Sequence, residues 1–389
     1  MICERVKCTA CGLCQNICPR NCIEMRISEG GFIEYCIDES KCIHCDQCVR
    51  ICPQNAEIQK ENDVPTVAYC AQTYNKQDLR KSSSGGMFSA FARFFIEERS
   101  GVVYASRMNM ELKVEFSRFD TVEEISQAQG SRYVQSFVND TYRNVKKDLD
   151  GNRAVMFIGC PCQVYALKTY LKKDYEKLLT VDLVCHGTGS YRLYFKNLER
   201  YRKKGNDITE VRFRSKERFT FTNHYIMTFT YQDGKESYVS ALNDEYMSAY
   251  FHKAIYRESC YTCRFTGFPR VGDLTVGDFA GVDIGVIGKK RYRQGVSVLL
   301  VNNERGNTCL DALKDRIWYT ERPLHEATDT NENILRPCKR PKERDMLNDH
   351  TVSDGQVLKS MRYSIKNKVG ICLAPYMKRL KKARKKFIF

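Results

Sequence analysis

A repeated cysteine pattern near the N terminus constrains this chain more than any other feature of its sequence. The run C-x-x-C-x-x-C-x-x-x-C-P occurs twice, over residues 8–19 and again over residues 42–53. Three closely spaced thiolates can hold three corners of a 4Fe-4S cube, and the fourth cysteine of each run can reach the other cube. The proline after each run prevents a helix from continuing there. The repeat therefore predicts an internally duplicated, metal-binding unit.

The cysteine spacing assigns ligands to two clusters. One 4Fe-4S cluster is predicted on Cys8, Cys11, Cys14 and Cys52, and the second on Cys42, Cys45, Cys48 and Cys18. The pattern resembles that of bacterial two-cluster ferredoxins, which implies a ferredoxin-like domain over residues 1–60. Two alternatives fit less well. A disulfide scaffold would need an export signal, which the start MICERVKCTACG lacks, and zinc sites use paired cysteines with longer gaps.

Composition narrows the class of protein further. The chain has 389 residues, 20 of them cysteine, and no apolar run long enough to span a membrane. Without a signal peptide we expect a cytoplasmic protein, in which so many cysteines indicate metal or redox chemistry. The formal net charge of +16 does not by itself indicate nucleic-acid binding, and the sequence contains no recognisable nucleic-acid-binding fold.

Much of the positive charge lies in a C-terminal tail, residues 376–389. Apolar residues of this tail fall at helical spacing along one side, namely Tyr376, Leu380, Ala383 and Phe387. A basic amphipathic tail can lie on an anionic membrane surface or dock an acidic partner, so peripheral membrane contact is one prediction. A solvated chain terminus fits the sequence equally well.

The rest of the chain alternates strand-like and helix-like segments. A connector over residues 61–80 leads to SSSGGMFSAFARFFIEE, residues 82–98, where a serine- and glycine-rich loop runs into an amphipathic helix. The N–H groups at such a helix start can bind an anion, although a flexible loop with a helix cap fits the composition equally. Apolar strands over residues 153–159 and 178–185 are each followed by a helix, which indicates a parallel sheet.

The predicted fold class is therefore a multidomain chain with α+β and α/β character. Residues 209–250 alternate polar and apolar positions and predict an antiparallel part of the larger domain. We expect that mixed α/β domain over residues 81–305, and a C-terminal extension over residues 306–389. The flavin-binding role of the 81–305 domain is implied only by the resemblance described below.

Four cysteines of the larger domain form a second candidate metal site, namely Cys162, Cys185, Cys260 and Cys263. The first two follow the predicted parallel strands, and ligands of such sheets lie at the carboxyl ends of the strands. Four thiolates suit a further 4Fe-4S cluster or a zinc ion, and the spacing also leaves open that they bind no metal. Cys160 competes with Cys162 for a place in the set, because a single residue separates them.

Six motifs in a fixed order resemble the beta-subunit family of coenzyme F420 hydrogenases and dehydrogenases, namely SSSGGMFS, GSRYVQS, GCPCQ, TVDLVCHG, SCYTCRF and TVGDFAG. The resemblance covers residues 1–305 and implies an iron-sulfur flavoprotein that binds FAD beside a third 4Fe-4S cluster, held by the second cysteine set. It also implies flavin contacts by Ser83, Ser84, Gly85, Gly86, Met87, Gly130, Ser131, Arg132, Tyr133 and Asp278. Two positions depart from the family pattern. Cys160 replaces a common threonine, which leaves the ligand set open, and Ala280 replaces a common tryptophan, which leaves the shape of the substrate pocket open.

The resemblance implies an FAD- and iron-sulfur-dependent oxidoreductase. Electrons would pass between a redox partner, the clusters and FAD, which exchanges hydride with a deazaflavin coenzyme or another conjugated small molecule. The expected partner is a ferredoxin or a hydrogenase- or dehydrogenase-type subunit. No catalytic side chain is identified, because the flavin carries the reaction. Two alternatives are a non-catalytic electron-transfer subunit of a larger redox complex and a reductase in surface-polysaccharide biosynthesis.

Overall fold

The computed structural model describes residues 1–60, 63–216 and 226–363, so the basic tail lies outside the described residues. The described residues form thirteen strands, which are β1 (Ile23–Ile27), β2 (Ile33–Ile37), β3 (Val67–Thr73), β4 (Val102–Met108), β5 (Val114–Phe119), β6 (Val155–Gly159), β7 (Leu178–Leu183), β8 (Ile208–Ser215), β9 (Ile226–Tyr231), β10 (Glu236–Ser240), β11 (Leu274–Asp278), β12 (Ser297–Val301) and β13 (Ile317–Arg322).

Fourteen α-helices accompany these strands in the described ranges, which are α1 (Leu13–Ile17), α2 (Gln47–Arg50), α3 (Lys76–Lys81), α4 (Met87–Glu97), α5 (Ile125–Ala128), α6 (Thr141–Asp150), α7 (Pro161–Leu171), α8 (Tyr191–Leu198), α9 (Glu245–Phe251), α10 (Ile284–Ile287), α11 (Lys289–Gln294), α12 (Glu304–Ala312), α13 (Leu324–Thr328) and α14 (Asp354–Ser360). Short 3₁₀ turns lie at Arg5–Lys7, Glu258–Cys260, Glu332–Ile334 and Lys342–Leu347. No helix of this set is both long and apolar enough to span a bilayer.

An eight-stranded sheet organises the larger part of the molecule, in the order β13-β3-β12-β11-β7-β6-β4-β5. Its centre is parallel, since β6 pairs parallel with both β4 and β7, and β7 pairs parallel with β11. The predicted parallel pairing of the two apolar strands is therefore confirmed. Strand β6 is buried along its whole length, as expected for a strand covered on both faces. Strands β3 and β13 lie at residues predicted as connector and C-terminal extension, so the sheet is larger than the predicted 81–305 domain.

A separate antiparallel sheet, in the order β10-β9-β8, lies where the alternating residues predicted an antiparallel part. Its inward-facing residues share a hydrophobic core with α8, α9 and α14, and this core is rich in tyrosine. Strand β8 ends beside the carboxyl end of β11, where Arg214 pairs with Asp278. The antiparallel sheet therefore brings cationic side chains to the carboxyl end of β11 in the large sheet.

The N-terminal unit consists of the β1–β2 hairpin with α1 and α2, and it packs directly on the larger part of the molecule. Helix α1 contacts α6 and α7, and Leu13 on α1 is only 1% exposed within their shared core. Asn16 accepts hydrogen bonds through Oδ1 from the N–H groups of Tyr142 (3.2 Å) and Arg143 (3.3 Å). It thereby caps the N terminus of α6 from another part of the chain, because the α6 N-cap residue Asp140 makes no side-chain cap.

The hairpin is held at its tip as well. The carbonyl of Gly31 accepts a hydrogen bond of 2.7 Å from the N–H of Tyr191 at the start of α8. Gly31 has φ +80°, and a Cβ there would lie 2.2 Å from the Oγ of Ser190. The close approach of hairpin and helix therefore requires glycine at this position.

Candidate functional site: three cysteine pockets and a polar cluster

The first pocket, called here the inner pocket, gathers the four cysteines predicted for one cluster: Cys8, Cys11, Cys14 and Cys52. The chain crosses between the two repeat halves as the spacing predicts, because Cys52 belongs to the second run. Cys3 also lines this pocket and hydrogen-bonds to Cys8 and Cys52. The four thiols fit the donor set of a 4Fe-4S cluster, with Cys3 as a fifth thiol that the spacing did not reveal.

The second pocket, called the outer pocket, gathers the other predicted set: Cys18, Cys42, Cys45 and Cys48. Its rim is open to solvent, since Ile43 is 58% exposed and His44 is exposed. His44 Nδ1 lies 4.0 Å from Cys42 Sγ. Cys22 provides a fifth thiol here, with its sulfur 3.3 Å from that of Cys18.

The third pocket brings together the second cysteine set, Cys162, Cys185, Cys260 and Cys263, with Cys160 as a further lining residue. Cys160 follows β6 and Cys185 follows β7, so both lie at the carboxyl ends of neighbouring parallel strands. The 3₁₀ turn Glu258–Cys260 brings the C-x-x-C pair to the same place. Four thiols from three separate segments fit a 4Fe-4S cluster or a zinc ion, and ligation by these residues stays a prediction.

Several thiols of the third pocket have a raised pKa, so metal binding there would displace protons. Burial raises the pKa of Cys162 well above its usual value, and raises the pKa of Cys263 to about 11 and that of Cys260 to about 12. A hydrogen bond between Cys160 and Cys185 raises the pKa of the first thiol and lowers the pKa of the second. Cys185 is therefore the thiol of this pair that ionises more easily. Metal ligation requires the thiolates, so binding would release protons.

A buried ion pair fixes the strand end that carries Cys185. The guanidinium of Arg270 donates to Asp182 Oδ1 at 2.8 Å, and these side chains are 1% and 0% exposed. Asp182 Oδ2 also accepts the N–H groups of Val271 (3.2 Å) and Gly272 (2.9 Å). Because Arg270 lines the third pocket, this network ties the segment after the C-x-x-C pair to β7.

The serine- and glycine-rich loop before α4 lies against the start of β12. The hydroxyl of Ser84 donates to the carbonyl of Val296 at 2.7 Å, and the N–H of Gly85 donates to the Oγ of Ser297 at 2.9 Å. Ser297 pairs in register with Asp278 at the end of β11. The loop therefore reaches the same edge of the sheet as Asp278, as a shared binding site would require.

The predicted loop at residues 130–133 joins this region. The N–H of Ser131 donates to Ser83 Oγ at 2.8 Å, which connects the two loops. Arg132 instead turns back on its own loop and donates to the carbonyls of Gln129 (2.5 Å) and Gly130 (2.5 Å). Gly130 has φ +88°, and Gly86, the N-cap of α4, has φ +82°. Met87 is buried in the apolar core, so its side chain serves packing.

Sequence reasoning missed two cations that complete this region. Arg214 donates to Asp278 Oδ2 at 2.6 Å, and it also hydrogen-bonds to Tyr133. Lys216 donates through Nζ to the carbonyls of Ser84 and Leu79. We call Tyr133, Arg214, Lys216 and Asp278 the polar cluster. Nothing in the local sequence marks the two cations, because they become neighbours of Asp278 only through the inserted sheet.

Burial sets the charge state of Lys216. It lowers the pKa of this ammonium group to about 7, with Arg214 lowering it further and Asp278 opposing the change. Burial also raises the pKa of Tyr133, so its hydroxyl stays protonated near neutral pH. The polar cluster thus offers neutral and cationic donors near a protonatable amine, which suits an anionic or carbonyl-rich ligand.

The polar cluster and the third pocket are neighbours. The ring of Tyr250 lies 4.7 Å from that of Tyr133, and its hydroxyl donates to the carbonyl of Gly187 at 2.8 Å. Gly187 lines the third pocket together with His186 and Asn333. Burial lowers the pKa of His186, which hydrogen-bonds to Asn333. The Tyr133–Tyr250 aromatic pair therefore connects the predicted flavin region with the second cysteine set.

Comparison with known proteins identifies two segments of the chain. Residues 152–327 match the family model for the C-terminal part of the beta subunit of coenzyme F420 hydrogenase/dehydrogenase, and residues 7–56 match that of a 4Fe-4S dicluster domain. Among solved structures, the chain resembles one from the F420-reducing NiFe hydrogenase complex of Methanosarcina barkeri. That match has 17% identity and a TM-score of 0.46, and covers 69% of this chain and 89% of that one. No curated protein matches the chain. The chain thus contains a segment similar to the C-terminal part of the coenzyme F420 hydrogenase/dehydrogenase beta subunit, behind an N-terminal segment similar to a 4Fe-4S dicluster domain.

Proposed function

We propose that the chain is an iron-sulfur flavoprotein oxidoreductase that exchanges electrons between a redox partner and a deazaflavin coenzyme or another conjugated small molecule. The observation that carries the proposal is the meeting of the two predicted flavin loops and Asp278, in a region that Tyr133 and Tyr250 connect to the third pocket. A redox cofactor at the polar cluster would lie next to a metal site, and that site would lie next to the inner pocket. Such an arrangement suits electron transfer.

FAD, when bound, supplies the junction between hydride exchange and single-electron transfer. The chain's own residues would bind and orient it. The loop carrying Ser83 and Ser84 would line one side, while Tyr133 and Arg214 would present hydrogen-bond donors from the other side. Lys216 would hold or release a proton at Nζ near neutral pH, since its pKa is about 7. Asp278 would keep Arg214 in place through their ion pair.

The decisive measurement is the content of iron, acid-labile sulfide and extracted flavin per chain, on protein purified without oxygen. Three 4Fe-4S clusters and one flavin would give about twelve irons and one FAD. About eight irons without flavin would contradict the proposal, because only the ferredoxin-like unit would then be loaded. An intermediate result of about eight irons with one zinc would assign the third pocket to zinc.

A second candidate function is that of a non-catalytic electron-transfer subunit. The description of the matching family as a beta subunit favours it, since such a chain works within a larger complex. The two functions differ in what the isolated chain does. An enzyme should retain flavin and reduce an acceptor alone, whereas a relay subunit should need its partner for turnover.

Peripheral membrane contact through residues 376–389 stays a prediction. Deleting these residues should remove the protein from sedimented anionic vesicles while leaving its iron content unchanged. Unchanged sedimentation of the shortened chain would contradict this role of the tail.

A further inference from the structure

The three cysteine pockets follow one another in a fixed order. Ile2 lines both the outer and the inner pocket, and Thr9 lines both the inner and the third pocket. The inner pocket therefore lies between the other two. Buried side chains connect the cysteines of the inner pocket with those of the third pocket.

One connection runs through a buried serine. Ser259 Oγ donates a hydrogen bond of 2.9 Å to the carbonyl of Cys8, a predicted ligand of the inner pocket. Ser259 is 3% exposed and directly precedes Cys260, a predicted ligand of the third pocket. A single hydrogen bond therefore joins the two ligand sets, with covalent bonds making up the rest of the route.

A second connection runs through a buried tyrosine. The hydroxyl of Tyr142 lies 2.6 Å from the carbonyl of Cys11 and 3.1 Å from that of Gln163. Gln163 directly follows Cys162. The hydroxyl has one proton, so it donates to one of these carbonyls at a time and contacts the other. Tyr142 thus provides a second route between the same two pockets, and both routes begin at the carbonyl of an inner cysteine.

We propose that Ser259 and Tyr142 are positioning residues that set the electronic coupling between the inner and the third metal site. The inference rests on the proposed function, since it requires a cluster in the third pocket. An electron tunnels more readily through covalent and hydrogen bonds than across an equal gap, so these two contacts are the favoured route. One electron passes per event, so that one site is oxidised and the other reduced. In this step no bond breaks and no proton moves. A ferredoxin-type protein supplies the electron, and the flavin accepts it from the third site.

Removing each hydroxyl tests the proposal. Ser259→Ala and Tyr142→Phe keep the size of the side chains, and Tyr191→Phe is a matched control. Tyr191 is equally buried and donates to the carbonyl of Gln135 at 2.7 Å, outside the two routes. The full-length, cluster-loaded protein is mixed without oxygen with a reduced ferredoxin. Freeze-quenched electron paramagnetic resonance then follows the reduction of each site and the magnetic coupling between the inner and the third site.

The expected result is a several-fold slower reduction of the third site in Ser259→Ala and in Tyr142→Phe, and a larger loss in the double variant. Iron content and midpoint potentials should stay those of the parent protein, and Tyr191→Phe should behave as the parent. Ser259→Thr should keep the parent's rate because it keeps a hydroxyl. If Ser259→Ala does not fold, Tyr142→Phe carries the test, and an unchanged rate in that variant would overturn the proposal.

Two outcomes are distinguishable. About twelve irons per chain with unchanged rates in both variants would overturn this inference and leave the proposed function intact. About eight irons in the parent protein would overturn this inference, because the third pocket would then hold no cluster, and the absence of flavin as well would overturn the proposed function.

Discussion

Residues 8–19 and 42–53 carry the same cysteine spacing, and their backbones turn in the same way. Ala10 and its counterpart His44 have φ +48° and +50°, and Gly12 and its counterpart Asp46 have φ +77° and +56°. Their surroundings differ. Ala10 and Leu13 are buried in cores of the larger part of the molecule, whereas His44 and Gln47 are exposed. Equal metal-binding geometry can therefore be built into one half that serves as core and another that serves as surface.

The two halves of the duplicated unit therefore have different structural roles. The inner half is held by hydrogen bonds to its backbone carbonyls from Arg257, Ser259, Tyr142 and Gln135. The outer half leaves its rim accessible to a soluble partner. We therefore expect electrons to enter or leave the chain at the outer pocket, which the following predictions test from the largest expected effect to the smallest.

The two halves should differ most in the rate at which they lose iron. Exposing the inner pocket to a chelator requires breaking those four hydrogen bonds, which at about 1 kcal/mol each amounts to roughly a thousandfold slower loss than from the outer pocket. The measurement is the time course of iron release to a coloured chelator without oxygen, with electron paramagnetic resonance identifying the site that remains. Simultaneous loss of both clusters would show that burial does not protect the inner one.

Substituting an arginine that contacts the inner half should destabilise the protein more than substituting one in the outer half. Arg257 is buried and donates to Cys8 and Ile33 carbonyls and to Gln135 Oε1, so Arg257→Gln should cost at least about 3 kcal/mol. Arg50 donates 2.9 Å to the Cys45 carbonyl but is exposed. Arg50→Gln, the matched control, should cost less than about 0.5 kcal/mol. Denaturant titration of the loaded proteins measures both values, and equal costs would contradict the comparison.

Counterpart residues with positive φ give a finer test. A Cβ at Gly12 would lie 2.6 Å from the Cβ of Val138, so Gly12→Ala combines backbone strain with a steric clash and should cost about 2–4 kcal/mol. Asp46 already has φ +56° and is exposed, so Asp46→Ala should cost less than about 1 kcal/mol. Thermal unfolding followed by circular dichroism distinguishes the two. A tolerated Gly12→Ala would mean that α1 can move away from Val138.

A substitution on the rim of the outer pocket should have the smallest effect on stability, but it should slow electron transfer from the partner protein. Ile43 is 58% exposed on the rim of the outer pocket, so Ile43→Ser should change the free energy of unfolding by less than about 0.5 kcal/mol. It should nevertheless slow reduction by a ferredoxin-type donor, because an apolar contact at the rim is lost. Stopped-flow reduction of the loaded protein measures this rate. Val286→Ser, at an exposed apolar residue elsewhere, is the control and should leave the rate unchanged.

Much of this arrangement could be predicted from the sequence, because cysteine spacing and strand periodicity are local signals. The crossed sets with Cys52 and Cys18, the parallel centre of the sheet and the antiparallel insertion all follow from such patterns. The fifth thiols Cys3 and Cys22 carry no spacing signal. Arg257, Tyr142, Arg214 and Lys216 could not be predicted, since each meets its partner across more than forty intervening residues. The unequal burial of the halves likewise depends on docking, which the shared cysteine spacing does not encode.

The hydrogen bonds by which Asn16 caps α6 limit the substitutions that the inner half can accept during evolution. A substitution in the inner half must satisfy both a metal site and the start of a helix in another part of the molecule. A substitution in the outer half must satisfy the metal site and the binding of a partner protein. New redox partners are therefore most easily acquired by drift at residues 43–50, while residues 9–16 hold the two parts of the molecule together.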